Sequence, residues 1–251
     1  MNHLLRTATM ASVLALGAAG AQAADLTYEP APVAPEVFNW TGFYVGVHGG
    51  IGGGDFDTQL RVYDDQLERG RLLSDYGADV SDNAFGAFGG VQAGYNYQFA
   101  TNWVAGLEAD FAASGIKAEH SESYSYGYSW HTEAQIDWFG TIRGRLGYAW
   151  DNVLFYGTGG AAYGKVELSG GESYRGEGSF NNYSGSETRW GWTAGAGVEY
   201  GITKNITLKT EYLYVDLGTA TIDNAIFDAY ESQAKLDTAF HTLKFGLNYK
   251  F

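Results

Sequence analysis

The residues of this chain best suited to chemistry lie in its polar stretches. Residues 120–131 read HSESYSYGYSWH, with His120 and His131 bracketing Tyr124, Tyr126, Tyr128 and Trp130. Imidazole and phenolate ligate haem iron, and aromatic rings stack on a porphyrin. If the stretch doubles back, the two histidines come close and a hemin-binding loop results; a tyrosine-rich surface loop at a membrane interface explains the same residues. Residues 53–83 hold Asp55, Asp57, Asp64, Asp65, Glu68, Asp75, Asp79 and Asp82 against Arg61, Arg69 and Arg71. Calcium takes clustered carboxylates, but EF-hand spacing is missing, so a solvated acidic loop is expected and no metal site. GGAAYGK (159–165) approaches a phosphate-binding loop, yet Val166 follows the lysine where a hydroxyl would hold magnesium, and no helix follows. His131 with Glu133, and His241 with Ser232, approach an acid–base pairing without a nucleophile arrangement. No enzyme and no catalytic residue is expected.

What positions these stretches is a series of alternating segments. Residues 1–23 have Arg6 ahead of a short apolar run and an Ala21-Gln22-Ala23 cleavage site, the pattern of a signal peptide. Residues 24–38 hold all three prolines, Pro30, Pro32 and Pro35, and read as an extended periplasmic linker. Losing Arg6 with the leader leaves 14 bases against 29 acids, so the mature charge is −15. Such a chain is a poor nucleic-acid partner. It has no cysteine, hence no disulfide framework.

From residue 39 the apolar period is two. Residues 103–113 put Trp103, Ala105, Leu107, Ala109 and Phe111 on one face. Residues 134–150 do the same with Ile136, Trp138, Ile142, Leu146, Tyr148 and Trp150. The chain ends HTLKFGLNYKF, with Leu243, Phe245, Leu247, Tyr249 and Phe251 together. Residues 206–218 are less clean, because Leu213 and Val215 oppose Tyr212 and Tyr214, and the faces of residues 153–168 are not assignable. Eight such segments predict an all-β fold: an eight-stranded antiparallel up-and-down transmembrane β-barrel over 39–251. Tight turns at 100–102, 151–152 and 202–205 alternate with long polar stretches near 53–83, 114–133, 169–188 and 219–238, which predicts short periplasmic turns, long extracellular loops and both termini in the periplasm.

Alternation alone does not say which face is inside, and a soluble barrel would bury the apolar one. The polar face carries Glu108, Asp110, Asp137, Arg143, Arg145, Glu199, Lys209, Glu211, Lys244 and Lys250, interleaved with glycines such as Gly94, Gly106, Gly197 and Gly246. Glycine weakens a solvated strand but makes room in a narrow lumen for long charged side chains that pair across it. Aromatic residues gather at the short turns, as in a membrane-interface girdle. The chain therefore reads as a barrel with lipid outside and a lumen charge network inside. No edge is left unpaired if the last strand closes on the first.

WTGFYVGVHGGIGGG, GVQAGYNYQF, WVAGLEAD, RGRLGYAWDNVLFYGTGGAAYGKV, TEYLYVDLG and HTLKFGLNYKF resemble the small outer-membrane proteins of alphaproteobacteria, eight-stranded barrels of OmpA or opacity-porin type. The resemblance covers 38–251. It implies a Gram-negative surface antigen without established catalysis, in contact with outer-membrane lipid and lipopolysaccharide. It also implies that Tyr249 and Phe251 form the C-terminal signal read by the barrel-assembly machinery. Some relatives are described as hemin binders or immunogenic porin-like proteins. The leading expectation is a structural, envelope-integrity and interaction role, with host or surface ligands met through the loops and a plugged or weakly conducting lumen. The alternatives are a small porin or a hemin-binding protein.

Overall fold

The computed structural model describes residues 38–63, 79–123, 127–174, 179–223 and 231–251. The expected leader and residues 24–37 of the expected linker lie outside the described residues, as do Tyr124 and Tyr126. Eight strands follow one another: β1 (Gly42–Tyr63), β2 (Asp79–Phe99), β3 (Trp103–Ser123), β4 (Tyr128–Trp150), β5 (Val153–Tyr174), β6 (Ser179–Gly201), β7 (Ile206–Asp223) and β8 (Glu231–Lys250). Each pairs antiparallel with the next, and β8 pairs with β1 from Tyr44↔Lys250 to Tyr63↔Glu231, so the barrel is closed. Beyond the last strand the Phe251 amide still donates to the Phe43 carbonyl at 3.0 Å.

At the short-turn end, here called lower, Ala100, Thr101 and Asp151 adopt positive φ, as tight hairpins that follow strand twist require. Above these turns the outward side chains are apolar and exposed. They include Val45, Val47, Val91, Leu107, Ile142, Leu146, Phe245 and Leu247. Aromatic rings rim this belt at both margins. Phe99, Trp103, Tyr148, Trp150, Tyr249 and Phe251 stand at the lower margin, and Phe85, Phe111 and Trp190 at the upper. About ten residues at ~3.3 Å rise and ~45° tilt give a belt of roughly 25 Å, the thickness of a bilayer's apolar core.

The strands are about twice as long as that belt requires, 18–23 residues. This corrects the reading of the long polar stretches as loops: most of 53–83, 114–133, 169–188 and 219–238 continues the strands. In that upper half the two faces exchange character. Ile116, Ala118, Val166 and Leu168 point inward and are buried, while Lys117, Glu119, Lys165 and Glu167 point outward. The same strand thus carries apolar residues outside below and inside above. This is why β5 and the middle of β7 resisted a face assignment. Leu154 and Tyr156 point in and Phe155 out, while Leu213 and Val215 are buried inside the barrel.

The upper half is also no longer one ring. The β2–β3 ladder ends at Phe85↔Lys117, and the β6–β7 ladder ends at Trp192↔Asp216. Among the described residues, pairing above those rungs continues within β7–β8–β1–β2 and within β3–β4–β5–β6. Two four-stranded sheets therefore face each other over an apolar core, as in a sandwich. Phe56, Phe88, Leu217, Leu236 and Phe240 come from one sheet, and Ile116, Ile136, Phe139, Val166 and Leu168 from the other. Phe139 meets Phe88 edge-on at 5.2 Å and Phe240 at 5.3 Å, joining the two.

Candidate functional site

The lumen below that core is filled by charge. Period-two alternation turns Glu108 and Asp110 of β3, Arg143 and Arg145 of β4, Glu199 of β6, Lys209 and Glu211 of β7 and Lys244 of β8 inward at one level. Four acids and four bases are buried there. Arg143 Nη2 lies 2.5 Å from Glu108 Oε1 and 2.9 Å from Asp110 Oδ2, and its Nη1 is 2.9 Å from Glu211 Oε1. Lys209 Nζ donates to both Glu108 carboxylate oxygens at 2.7 Å. Lys244 Nζ is 2.9 Å from both Asp110 Oδ2 and Glu211 Oε1. Arg145 Nη2 reaches Glu199 Oε2 at 2.7 Å. A charge withdrawn from water costs several kcal/mol unless fully partnered, so the mutual neutralisation is what makes this layer tolerable.

Neutral groups complete it. The Tyr44 hydroxyl donates to Glu108 Oε2 at 2.7 Å, and the Tyr156 hydroxyl to Glu211 Oε2 at 2.8 Å. The Arg145 guanidinium sits 3.9 Å from the Tyr156 ring centre. Asn248 and Thr207 both donate to Glu199 Oε1, at 3.0 and 2.5 Å. The lumen glycines make the room. A Cβ at Gly94 would stand 2.4 Å from the Tyr44 hydroxyl, and one at Gly197 2.5 Å from the Tyr156 hydroxyl. Gly246 likewise leaves space for the Lys209 stem.

Below the charges lies a third layer. Trp40, from the segment entering β1, is 1% exposed and packs with Val104, Ala149, Leu154 and Tyr156. Phe38 lies against it at 4.6 Å. From bottom to top the barrel therefore holds an apolar cap, an ionic layer and an apolar core.

One residue expected in the network lies elsewhere. Asp137 is at a register shift between Ile136 and Trp138, where β4 carries one residue more than β5. The bulge turns its side chain to the outer surface. There it accepts a hydrogen bond from Lys165 Nζ at 2.6 Å, while Lys165 also meets Glu167 at 3.1 Å. Lys250, counted on the polar face, lies at the lower mouth, where its amine bonds the Asn39 carbonyl.

On either side of residues 124–126, which lie outside the described residues, the stretch considered for hemin is paired as β3 and β4. His120 pairs across from Thr132 and His131 from Ser121, so the two histidines point to opposite faces of the sheet. His120 lies inward against Trp130 at 5.7 Å, and His131 is exposed outside. They do not converge on one iron. Tyr128 lies at the start of β4. Of the two pairings weighed for acid–base chemistry, His241 Nδ1 bonds the Tyr212 hydroxyl at 2.6 Å on the outer face, and nothing is described of the Ser232 side chain. His131 and Glu133 stand two apart on one outward face. Among the described residues no group of His, Cys, Asp and Glu is arranged to hold a metal ion. Tyr249 and Phe251 are exposed on the outer face and meet edge-to-face at 5.3 Å.

The family model for the outer membrane protein beta-barrel domain matches residues 11–251. The chain belongs to this outer-membrane β-barrel family. Among its relatives, the 31 kDa outer-membrane immunogenic protein of Brucella melitensis is 40% identical, over 98% of this chain and 100% of that one. The 22 kDa outer membrane protein of Rhizobium leguminosarum bv. viciae is 33% identical, over 89% of this chain and 83% of its own length. Among solved structures, the outer membrane protein OprG of Pseudomonas aeruginosa is similar at 15% identity with a TM-score of 0.49, covering 86% of this chain and 99% of that one.

Sequence reasoning missed part of this barrel's site. Tyr44, His48, Gln92, Asn96 and Tyr156 are all buried in the lumen. The signal was present: Tyr44 and His48 share parity with Gly46 and Gly50, and Gln92 and Asn96 with Gly90 and Gly94. Reading the aromatic rings beside the 151–152 turn as lipid-facing concealed Tyr156.

Proposed function

We propose that this outer-membrane barrel is a closed, non-conducting surface protein with a structural role in the envelope and an interaction role at its upper half. The observation that carries this reading is the filled lumen. Cap, ionic layer and core each leave their side chains buried, and Lys209 and Arg143 are 0% and 1% exposed. An eight-stranded barrel has an interior only wide enough for side chains to fill. In this reading residues 1–23 direct export, the short turns and both termini face the periplasm, and the upper sheets stand outside the cell. Relatives are named outer-membrane immunogenic proteins, which is in keeping with a surface role. Tyr249 and Phe251 act as the assembly signal, and the apolar belt meets lipid with lipopolysaccharide at its upper rim. No catalytic step is assigned.

The test is planar-bilayer recording on the refolded full chain. The expected record has no stable ionic steps. Reproducible steps of fixed size would overturn the closed-lumen reading in favour of a small porin.

A further inference from the structure

We propose that the outer face of β5, β6 and β7 is a binding groove for a lipid whose headgroup carries an ammonium ion. The inference rests on the reading that the apolar belt meets lipid, and takes nothing from the closed lumen.

The place of the acyl chain follows from the register. Across β4 to β7 one outer-face row reads Leu146, Gly157, Ala196 and Tyr212, and the row above it reads Gly144, Gly159, Ala194 and Tyr214. Small residues of β5 and β6 thus floor a shallow trough, walled on one side by the tyrosines of β7 and closed below by Phe155 and Val198. Glycine weakens a strand, so two of them on the exposed wall need a cause. The barrel's own packing does not supply it: a Cβ would stand 3.9 Å from its nearest neighbour at Gly157 and 3.4 Å at Gly159. The inward Gly160 and Gly195 differ, since a Cβ there would meet backbone at 2.1 and 2.0 Å. The outward pair leaves a trough open toward lipid, and within the belt its occupant is an acyl chain.

The head of the trough is polar. The next rung up is Trp192↔Asp216, the last of the β6–β7 ladder, with both side chains on the outer face. The Trp192 ring lies 5.2 Å from Tyr214 and Tyr214 lies 5.2 Å from His241, whose Nδ1 bonds the Tyr212 hydroxyl at 2.6 Å, so the rings hold one another in place. Asp216 Oδ1 accepts the Gly218 amide at 2.8 Å, and its other oxygen has no partner among the described residues. An ammonium is attracted to the carboxylate and to the ring faces alike.

The opposite sector shows what this corner lacks. At the same margin Phe111, Trp138 and Tyr163 form a comparable series of rings. Above them Lys165 meets Asp137 at 2.6 Å and Glu167 at 3.1 Å, and Lys117 meets Glu119 and Glu133, so the acids are already matched. Among the side chains described on the outer face of β7, β8 and β1 above the belt, Asp55, Asp57, Asp216 and Asp237 stand against Lys235 as the one lysine or arginine. The field at this corner therefore favours a cationic headgroup over an anionic one.

The test is native mass spectrometry of the full barrel refolded in maltoside micelles, with palmitoyl-oleoyl phosphatidylethanolamine and phosphatidylglycerol competing at equal concentration. The ethanolamine lipid is expected to be retained over the glycerol lipid by about threefold to tenfold, with EDTA present or absent. Asp216→Asn should abolish the preference and keep the chain bound. Gly159→Leu fills the trough and should lower retention of both lipids, and Ala194→Leu makes the same obstruction should the first variant fail to refold. Glu133→Gln, in the matched sector, should change neither. Equal retention by the wild-type barrel, a preference that survives Asp216→Asn, or retention indifferent to a filled trough would overturn the proposal. So would binding lost in EDTA, which would assign Asp216 to a divalent cation, or displacement by phosphoethanolamine alone, which would assign the corner to a soluble amine. A barrel that stays monodisperse without detergent would instead sink the belt's contact with lipid, and conductance reads only the lumen, so the failures are told apart.

Discussion

The lower and upper halves of this barrel are built from the same eight strands with the same inward and outward parity, yet their chemistry is reversed. Along β3, Leu107 and Phe111 face out and Glu108 and Asp110 face in. A few residues later Ile116 and Ala118 face in and Lys117 and Glu119 face out. The solvent outside explains the reversal. Where lipid covers the wall, the outer face gains by being apolar, and the lumen takes the charges provided they neutralise one another. Where water covers it, the ordinary rule returns and the interior is a hydrophobic core. The difference extends to cooperativity. The lower half is a closed ring, while the upper half, freed from the requirement that no edge face lipid, divides into two sheets.

Four substitutions would break or sharpen that contrast. Glu108→Ala removes the partner of Lys209 and Arg143 and leaves both buried without it. A loss of about 3–5 kcal/mol is expected, measured as a lower urea midpoint for refolding into vesicles. In the upper half, Phe240→Ala empties a packed site between the sheets. A loss of about 3 kcal/mol is expected there, seen as faster hydrogen exchange above the belt with the lower ring still protected. Leu107→Lys places a charge on the lipid face where the wild-type leucine is 69% exposed, and about 2–4 kcal/mol should be lost. Glu119→Lys makes the same amine on the same face of the same strand, above the belt, and should change stability by less than about 0.5 kcal/mol. If Leu107→Lys and Glu119→Lys prove equal, the belt does not face lipid and the comparison between the halves collapses.

Much of the lower half was legible in the residues. Glu108, Arg143, Arg145, Glu199, Lys209, Glu211 and Lys244 were assignable to the lumen because each alternates with an outward apolar neighbour. Asp137 was not, because a single bulge inverts parity and leaves no local mark in composition. Tyr156 was hidden because an aromatic ring suits a membrane girdle as well as it suits a charged lumen. The upper half was read as loop because its outward residues are polar and interrupt the apolar ones: Ile116 and Ala118 stand between Ser114, Lys117 and Glu119, and Phe56 between Asp55 and Asp57. His120 and His131 looked convergent only while the stretch between them was taken for a loop. Once β3 and β4 run up as a ladder, a one-residue offset in register sends them to opposite faces.

The amino-acid order by itself determined the period of two, the strand number, the short lower turns and most of the lower charge network. These are local properties, carried by neighbouring residues and by turn chemistry. Only the tertiary structure decided how far the strands run past the belt, that the upper ring splits into two sheets, and which charges meet which. Each of those depends on register between segments distant in sequence, and on which solvent or side chain fills the space that the closed ladder leaves.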